Sequence, residues 1–253
     1  MNEILKEILT TGSVEVNGSR RPVHSSVSLR VGIFLQQLIR TVAPSVSLEV
    51  GLGFGVSAMF ICETLTEIAK GRHIAIDPDQ FSGTWGDGWS GAGLALLERC
   101  GLRALVDFHC LPSCRALPAI EESGLHIDFA FVDGWHTFDY CLMDAVLIDR
   151  ILNVNGIIVL HDAHWPSIHK VCRYLLTNRS YRVHSAVTTP HNPALRPMRR
   201  NACVPLVPEE LRRHLKPEVR QPDEELDLPG SSPCVALQKM RDDDRRWDFH
   251  EEF

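Results

Sequence analysis

Three glycines at alternating positions follow a short apolar run, and this pattern strongly limits the folds open to the chain. The segment LEVGLGFGVSA places Gly51, Gly53 and Gly55 between a predicted strand at 45–50 and a predicted helix at 56–69. Glycines let the backbone turn tightly and approach a ligand closely, and in open α/β sheets ligands bind beyond the carboxyl ends of the strands. The segment therefore predicts a ligand-binding strand–turn–helix unit.

Strands and helices alternate through the middle of the chain. Short β-rich runs are separated by segments that carry apolar residues at helical spacing. Further strands are predicted at 73–77, 104–110, 127–133, 157–161 and 181–187, and helices at 92–100, 114–122, 138–152 and 166–177. Connections of this length join parallel strands, so we predict an α/β fold with a doubly wound, Rossmann-like sheet covered by helices on both faces.

The segments on either side of this core differ from it in composition. Nine of the fifteen prolines lie between Pro190 and Pro233, which indicates an insertion or lid with one helix at 208–215, before a last strand at 234–240. We predict a single domain over residues 1–253. Its parts are cap helices within 1–40 (one of them at 26–40), a ligand-binding core at 41–187, the proline-rich insertion at 188–232, and the last strand and tail at 233–253.

Composition narrows the range of partners. The formal net charge of -6 does not favour attachment to nucleic acid or to an anionic membrane surface. No apolar stretch has the roughly 20 residues of a membrane helix. Eight cysteines without a CxxC pair are typical of free thiols in a reducing compartment. We therefore predict a cytoplasmic protein without a nucleic-acid or membrane partner, with a homodimer as the default assembly.

The spacing of the glycines and the acidic residues around them indicate the class of ligand. A dinucleotide site of the G-x-G-x-x-G type needs a glycine at position 56, where Val56 stands, so a nicotinamide-dependent oxidoreductase is the weaker alternative. Glu49 would repel a pyrophosphate but suits a cationic amino acid. Asp77 ends the next strand and suits the two hydroxyls of a ribose. A non-catalytic binding protein would keep the glycines and lack a base.

A second polar cluster follows two later strands. The segments FVDGWHTFDY and VLHDAH bring Asp133, His136, His161, Asp162 and His164 to the carboxyl ends of strands predicted to be neighbours. Three imidazoles and two carboxylates are more polar than a core requires. An imidazole has a pKa near neutrality and suits the removal of a proton from a hydroxyl, so His136 is the candidate general base.

With these motifs the chain resembles the class I S-adenosylmethionine-dependent methyltransferases, over about 26–187 and the strand at 234–240. The resemblance implies a seven-stranded sheet, mostly parallel with an antiparallel last strand, and S-adenosyl-L-methionine as cofactor. It also implies roles for individual residues. Glu49, Gly51, Gly53, Gly55 and Ser57 would border the methionine part, Asp77 would bind ribose, Ser113 would lie beside adenine, and Asp133 would contact the amine or cap a helix.

Within that family the second cluster is similar to small-molecule O-methyltransferases of the catechol-methyltransferase type. His136 falls where those enzymes carry a basic lysine, and Asp133 and Asp162 fall on two magnesium-ligand positions. The third ligand position is occupied by Ala163, and His164 beside it is a poor ligand for Mg²⁺. We predict O-methylation in secondary metabolism with Asp133 and His136 as catalytic residues; N- or carboxyl-methylation of a natural product or peptide is the alternative.

Overall fold

The computed structural model describes residues 1–81, 88–187, 216 and 220–253. Within them the chain forms two sheets and seven α-helices. The helices are α1 (Glu3–Thr11), α2 (Leu29–Val42), α3 (Val56–Glu67), α4 (Ala92–Arg99), α5 (Ser113–Glu122), α6 (Phe138–Ile151) and α7 (Pro166–Asn178). The strands are β1 (Ser13–Val16), β2 (Ser19–Pro22), β3 (Val46–Val50), β4 (Arg72–Ile76), β5 (Val106–His109), β6 (Ile127–Val132), β7 (Leu152–His161), β8 (Tyr181–Ala186) and β9 (Cys234–Lys239).

The main sheet has seven strands in the order β5-β4-β3-β6-β7-β9-β8. The first five of these are parallel to one another, whereas β9 is antiparallel to both β7 and β8. This confirms the predicted mostly parallel, seven-stranded sheet with an antiparallel last strand. The order reverses at β3, because β4 lies on one side of it and β6 on the other, and such a reversal opens a crevice for a ligand.

Two apolar layers cover the sheet. On one face α1 to α4 pack on side chains such as Phe129 and Phe131, and on the other face α5, α6 and α7 pack on Leu48, Val50 and Ile158. All five residues of β3 are buried. A central parallel strand buried on both faces is rigid, so the loops at its carboxyl end start from fixed positions.

The N-terminal segment differs from the prediction of cap helices alone. Helix α2 corresponds to the predicted helix at 26–40, but α1 is followed by a hairpin in which β1 and β2 pair antiparallel. The turn consists of Asn17 and Gly18, both with positive φ (51° and 76°), and Asn-Gly is the preferred pair for a two-residue hairpin turn.

Parts of the predicted insertion lie outside the described residues, including the helix expected at 208–215. The described stretch that precedes β9 is held against α7, where the buried Arg173 donates to Asp223 Oδ1 at 2.5 Å and His169 Nε2 lies 3.0 Å from Asp223 Oδ2. In the portions of the chain covered by the structure, no helix is both long and apolar enough to cross a membrane.

Candidate functional site

A cavity of about 1110 Å³ lies over the carboxyl ends of β3, β4, β6 and β7. Ligand pockets of roughly 300–1,000 Å³ hold drug-sized molecules, so this space is large enough for a nucleoside and a second small molecule. The predicted site residues that line it are Gly51, Gly53, Ser57, Asp77, Ser113, Asp133, His136 and Asp162. Both halves of the predicted site therefore open into one space.

The glycine turn packs directly against the loop that follows β6. Gly51 has φ +96°, and a Cβ built on it would lie 2.2 Å from the backbone oxygen of Asp133. Only glycine fits that position, because any side chain would clash with immovable backbone and strain its own dihedral. The close approach brings the two loops that carry the predicted cofactor and catalytic residues into contact.

Asp77 is 4 % exposed and is held by the turn itself. Its Oδ2 accepts from the backbone N–H of Gly53 at 2.8 Å, and its Oδ1 accepts from the backbone N–H of Asp79 at 2.8 Å. Burial raises the pKa of Asp77, and these hydrogen bonds oppose the shift. Gln80, which the sequence analysis missed, ties Gly53 O to the backbone N–H of Gly93 through its amide.

Glu49 does not lie where the sequence suggested. Its side chain is fully buried and does not line the cavity. Alternation along β3 turns it toward α3, where it accepts a hydrogen bond of 2.7 Å from the Ser57 hydroxyl and faces His73 Nε2 at 3.4 Å. Glu49 therefore orients Ser57, which does line the cavity, instead of meeting the ligand itself. Gly55, the helix N-cap, also stands behind the cavity wall.

Ser113 is the first residue of α5 and has a neighbour that sequence reasoning missed. Asp144, on α6, lines the same part of the cavity and is 2 % exposed. Burial raises its pKa to about 6, although a hydrogen bond from Ser113 opposes the shift. Its Oδ1 has no hydrogen-bond partner among the described residues. The sequence signal that could have identified Asp144 is its place on the buried stripe of α6, beside Cys141 and Ala145, where a carboxylate is unusual.

The second polar cluster forms as predicted for four of its five members. His161 Nδ1 lies 2.8 Å from Asp133 Oδ1 and 3.6 Å from Asp162 Oδ2. His136 Nε2 lies 3.0 Å from Asp162 Oδ2 and 3.6 Å from Asp133 Oδ1. One ligand-type atom from each of the four residues lies within 4.8 Å of the others. His164 stands apart, half exposed, with Nδ1 4.0 Å from Asp162 Oδ1.

Charges in the cluster favour protonated imidazoles. The carboxylates of Asp133 and Asp162 raise the pKa of His136 to about 9, against the opposing effect of burial. Burial also disfavours the charged form of His161, but its hydrogen bond with Asp133 and the nearby carboxylates raise its pKa overall. With a pKa of about 9, the His136 imidazole carries a proton at neutral pH, which differs from the pKa near neutrality expected for an ordinary histidine.

The cluster does not fit the magnesium site that the family resemblance implies. Mg²⁺ requires near-octahedral coordination by oxygen. Here the third family position is Ala163, which is fully buried and apolar, and two of the four donors that converge are imidazole nitrogens. We therefore assign no step of the chemistry to Mg²⁺.

Aromatic side chains complete the cavity wall. The rings of Trp135 and Tyr140 lie 6.0 Å apart, and Trp165 lies 5.1 Å from the imidazole of His136. At the other end Trp89 packs on Phe54 with 5.4 Å between ring centroids. These five aromatic residues line the cavity, as do Ser25, Ser26 and Val27 from the segment before α2. Trp85, which on sequence grounds is a further candidate for this aromatic wall, lies outside the described residues.

Comparison with known proteins gives matches over the same elements. Residues 48–163 match the family model of a methyltransferase domain. A caffeoyl-CoA O-methyltransferase from Stellaria longipes is 26 % identical over 137 residues, which is 53 % of this chain and 52 % of that protein. The chain thus spans about half the length of this curated relative.

Solved structures share the fold. One is the O-methyltransferase TomG from Streptomyces achromogenes in complex with SAM, with a TM-score of 0.58 and 16 % identity. The match covers 86 % of this chain and 82 % of TomG. An O-methyltransferase from Bacillus cereus in complex with SAH has a TM-score of 0.56 and 17 % identity. That match covers 76 % of this chain and 87 % of the Bacillus protein. These neighbours share the seven-stranded α/β fold, and residues 48–163 are similar to a methyltransferase domain, in agreement with the predicted resemblance.

Proposed function

We propose that the protein is an S-adenosylmethionine-dependent O-methyltransferase of a small molecule. The observation that carries the proposal is the continuity of one cavity from the Gly53–Asp77 unit to the His136 cluster. If the nucleoside of the cofactor binds at the Gly53–Asp77 unit, its methyl-bearing sulfur would lie near the His136 cluster. The names of the relatives support the same reaction, since those proteins are O-methyltransferases, two of them in complex with SAM or SAH.

Fixed polar groups on one wall of the cavity support the proposal that the cofactor binds there. Asp77 is pinned by two backbone N–H groups, so its carboxylate is positioned to accept hydrogen bonds from the hydroxyls of a ribose without reorganisation. Ser57 would contact the methionine part, and Ser113 would lie beside the adenine. Asp133 would meet the amine of the methionine part, because its carboxylate faces the cavity next to the glycine turn.

When bound, the cofactor supplies an electrophilic methyl group. The chain must hold the acceptor in line with that methyl group and take up the proton of its hydroxyl. His136 Nε2 is the group proposed to accept this proton, while Trp135 and Trp165 limit access of water. Asp162, 3.0 Å from Nε2, stabilises the imidazolium that results. Held by Asp77 and Ser57, the cofactor would supply its methyl group to the acceptor oxygen and would leave as the neutral sulfide, with the hydroxyl proton on His136.

The pKa of His136, raised to about 9, gives this mechanism a definite dependence on pH. Only the unprotonated imidazole is a base, so about one molecule in a hundred is ready at pH 7, two pH units below that pKa. The base-dependent rate should then rise about tenfold per pH unit up to pH 9. A strong base of this kind suits a phenolic hydroxyl, whose own pKa lies near 10.

The same charge favours a second candidate, methylation of a carboxylate. A protonated His136 would pair with a carboxylate acceptor, which needs no base because it is already ionised. The two reactions differ in the sign of their pH dependence. O-methylation of a phenol should increase toward pH 9, whereas carboxyl-methylation should decrease as His136 loses its proton.

The test is production of S-adenosylhomocysteine from S-adenosylmethionine with a panel of phenols, catechols and aromatic carboxylic acids at pH 6 to 10. We expect turnover with at least one hydroxyl acceptor and a loss of cofactor affinity of about tenfold or more in Asp77→Ala, which removes a charge-assisted hydrogen-bond acceptor. Asp107→Ala, an exposed position on β5, is the matched control. Cofactor binding without transfer to any acceptor would count against the O-methyltransferase assignment.

Three features remain predictions from the sequence: a cytoplasmic location, a role in secondary metabolism and a homodimeric state. The 188–232 segment as a lid over the acceptor is a further proposal. Its described part is anchored to α7 through Asp223, which fixes one end of the segment.

A further inference from the structure

We propose that Gln80 is a positioning residue for the cofactor: its side-chain amide holds the carboxylate of Asp77 in the orientation that binds a ribose. The inference rests on the function proposed above, in which Asp77 meets the cofactor. It goes further because it assigns the recognition of the ribose hydroxyls in part to Gln80, which does not itself line the cavity.

Gln80 is fully buried, and its amide uses both its oxygen and its nitrogen. Its Oε1 accepts from the backbone N–H of Gly93 at 2.9 Å. Its Nε2 donates to the backbone oxygen of Gly53 at 3.1 Å and to Asp77 Oδ2 at 3.3 Å. Because Gly93 N–H can only donate and Gly53 O can only accept, the amide has a single orientation, in which a donor faces Asp77.

The start of α4 encloses this amide. A Cβ built on Gly93 would lie 2.6 Å from the backbone oxygen of Gly53 and 3.1 Å from Gln80 Oε1. The backbone N–H of Gly91 donates to the backbone oxygen of Gln80 at 2.6 Å. Gln80 is therefore fixed through its backbone and its side chain, and it is a rigid support for the carboxylate beside it.

The donors around Asp77 determine which of its oxygens is open to a ligand. Oδ2 accepts from Gly53 N–H at 2.8 Å and from Gln80 Nε2, whereas Oδ1 accepts from the backbone N–H of Asp79, at 2.8 Å. A carboxylate oxygen has about two acceptor positions, so Oδ1 keeps one for a ribose hydroxyl. Without the Gln80 donor, Oδ2 would also have a free position, and the carboxylate would be less firmly held.

The same hydrogen bond favours the ionised carboxylate. Burial raises the pKa of Asp77, and the hydrogen bonds from Gly53, Asp79 and Gln80 oppose that shift. An ionised oxygen accepts a stronger hydrogen bond from a hydroxyl than a neutral one does. Gln80→Glu keeps the size of the side chain and an acceptor for Gly93 N–H, but it replaces the donor to Asp77 by a second carboxyl group.

The experiment measures calorimetrically how much each ribose hydroxyl contributes to binding. The ligands are S-adenosylhomocysteine and its 2′-deoxy and 3′-deoxy analogues, titrated at pH 8 into the wild type, Gln80→Glu and Gln80→Leu. In the wild type at least one deoxy analogue should bind about tenfold or more weakly, because a hydrogen bond to a charged group is lost.

Both Gln80 variants should bind S-adenosylhomocysteine about tenfold or more weakly than the wild type. Their affinities for S-adenosylhomocysteine and for that deoxy analogue should differ by less than about threefold, because the two changes remove the same interaction. Gln37→Glu makes the same change of charge at an exposed position of α2 that does not line the cavity, so it should behave as the wild type does.

A purely structural role for Gln80 predicts an equal loss of affinity for all three ligands. That result, in variants shown by circular dichroism to be folded, would overturn the inference and leave the proposed function standing. Absence of S-adenosylhomocysteine binding to the wild type would overturn both. The wild type also gives an independent measurement, since the NMR signals of the Gln80 side-chain amide should shift more with S-adenosylhomocysteine than with the weaker deoxy analogue, each at saturation. Equal shifts would likewise overturn the inference.

Discussion

Replacing the buried Asp144 by asparagine should stabilise the ligand-free protein, and the gain should depend on pH. Asp144 is 2 % exposed, and burial raises its pKa from 3.8 to about 6. A carboxyl whose pKa is higher in the folded state binds its proton more tightly there than in the unfolded chain. Its contribution to stability is therefore complete below about pH 4 and is lost as the pH rises to about 6.

The magnitude follows from the shift. A rise of about two pKa units corresponds to about 3 kcal/mol of penalty on the charged form at neutral pH. The asparagine side chain carries no charge and has a similar shape, so Asp144→Asn should raise the free energy of unfolding by up to about 3 kcal/mol at pH 8. The difference should vanish near pH 4, where Asp144 is itself neutral.

Urea unfolding of both proteins at pH 4, 6 and 8, without cofactor, measures this difference. Asp139→Asn is the matched control, because Asp139 lies in the first turn of the same helix α6 and is exposed, with a pKa lowered by its hydrogen bond with Thr137. That variant should be slightly less stable than the wild type at pH 8, because it loses a negative charge in the first turn of α6, and it should not gain stability there. An Asp144→Asn variant that is less stable at pH 8, or equally shifted at all three pH values, would refute the reasoning.

Two further substitutions test the glycine turn and the base. Gly51→Ala should lower the free energy of unfolding by more than about 3 kcal/mol, because its Cβ would lie 2.2 Å from the Asp133 backbone oxygen. The control Gly12→Ala also has positive φ but lies in open space, so it should cost only about 1–2 kcal/mol. Chemical denaturation measures both. His136→Gln should remove the rise of kcat/KM between pH 7 and 9 and leave cofactor affinity within a few-fold. The His164→Gln control should keep the wild-type profile, and a rise that survives in His136→Gln would remove that residue from the proton step.

Much of the fold is predictable from the sequence because its signals are local and periodic. Glycine and the change from strand to helical spacing mark each unit of the core, and the parallel order follows from the length of the connections. The hairpin of β1 and β2 escaped prediction because its strands have only four residues, and in β2 the exposed Arg20 and the half-buried Arg21 give no apolar alternation. The Asn17–Gly18 pair is the sequence signal from which this hairpin could have been predicted.

The parts of the candidate site that lie at strand ends could be predicted from the sequence. The parts that depend on the direction in which a side chain points could not. Asp133 follows β6 and His161 ends the adjacent strand β7, so topology alone brings them together. Glu49 was misplaced because the pleat of β3 turns it toward α3, and Asp144 was missed because its place on the cavity wall depends on how α6 packs. The raised pKa of His136 likewise needs the three-dimensional positions of two carboxylates, which sequence spacing does not give.

Calorimetric titration of the purified protein with S-adenosylhomocysteine, beside NAD⁺ under the same conditions, addresses the cofactor assignment most directly. We predict one site per chain for S-adenosylhomocysteine, weakened about tenfold or more in Asp77→Ala, and no binding of NAD⁺. Binding of NAD⁺ in preference, or an affinity for S-adenosylhomocysteine that is the same in Asp77→Ala, would contradict the assignment.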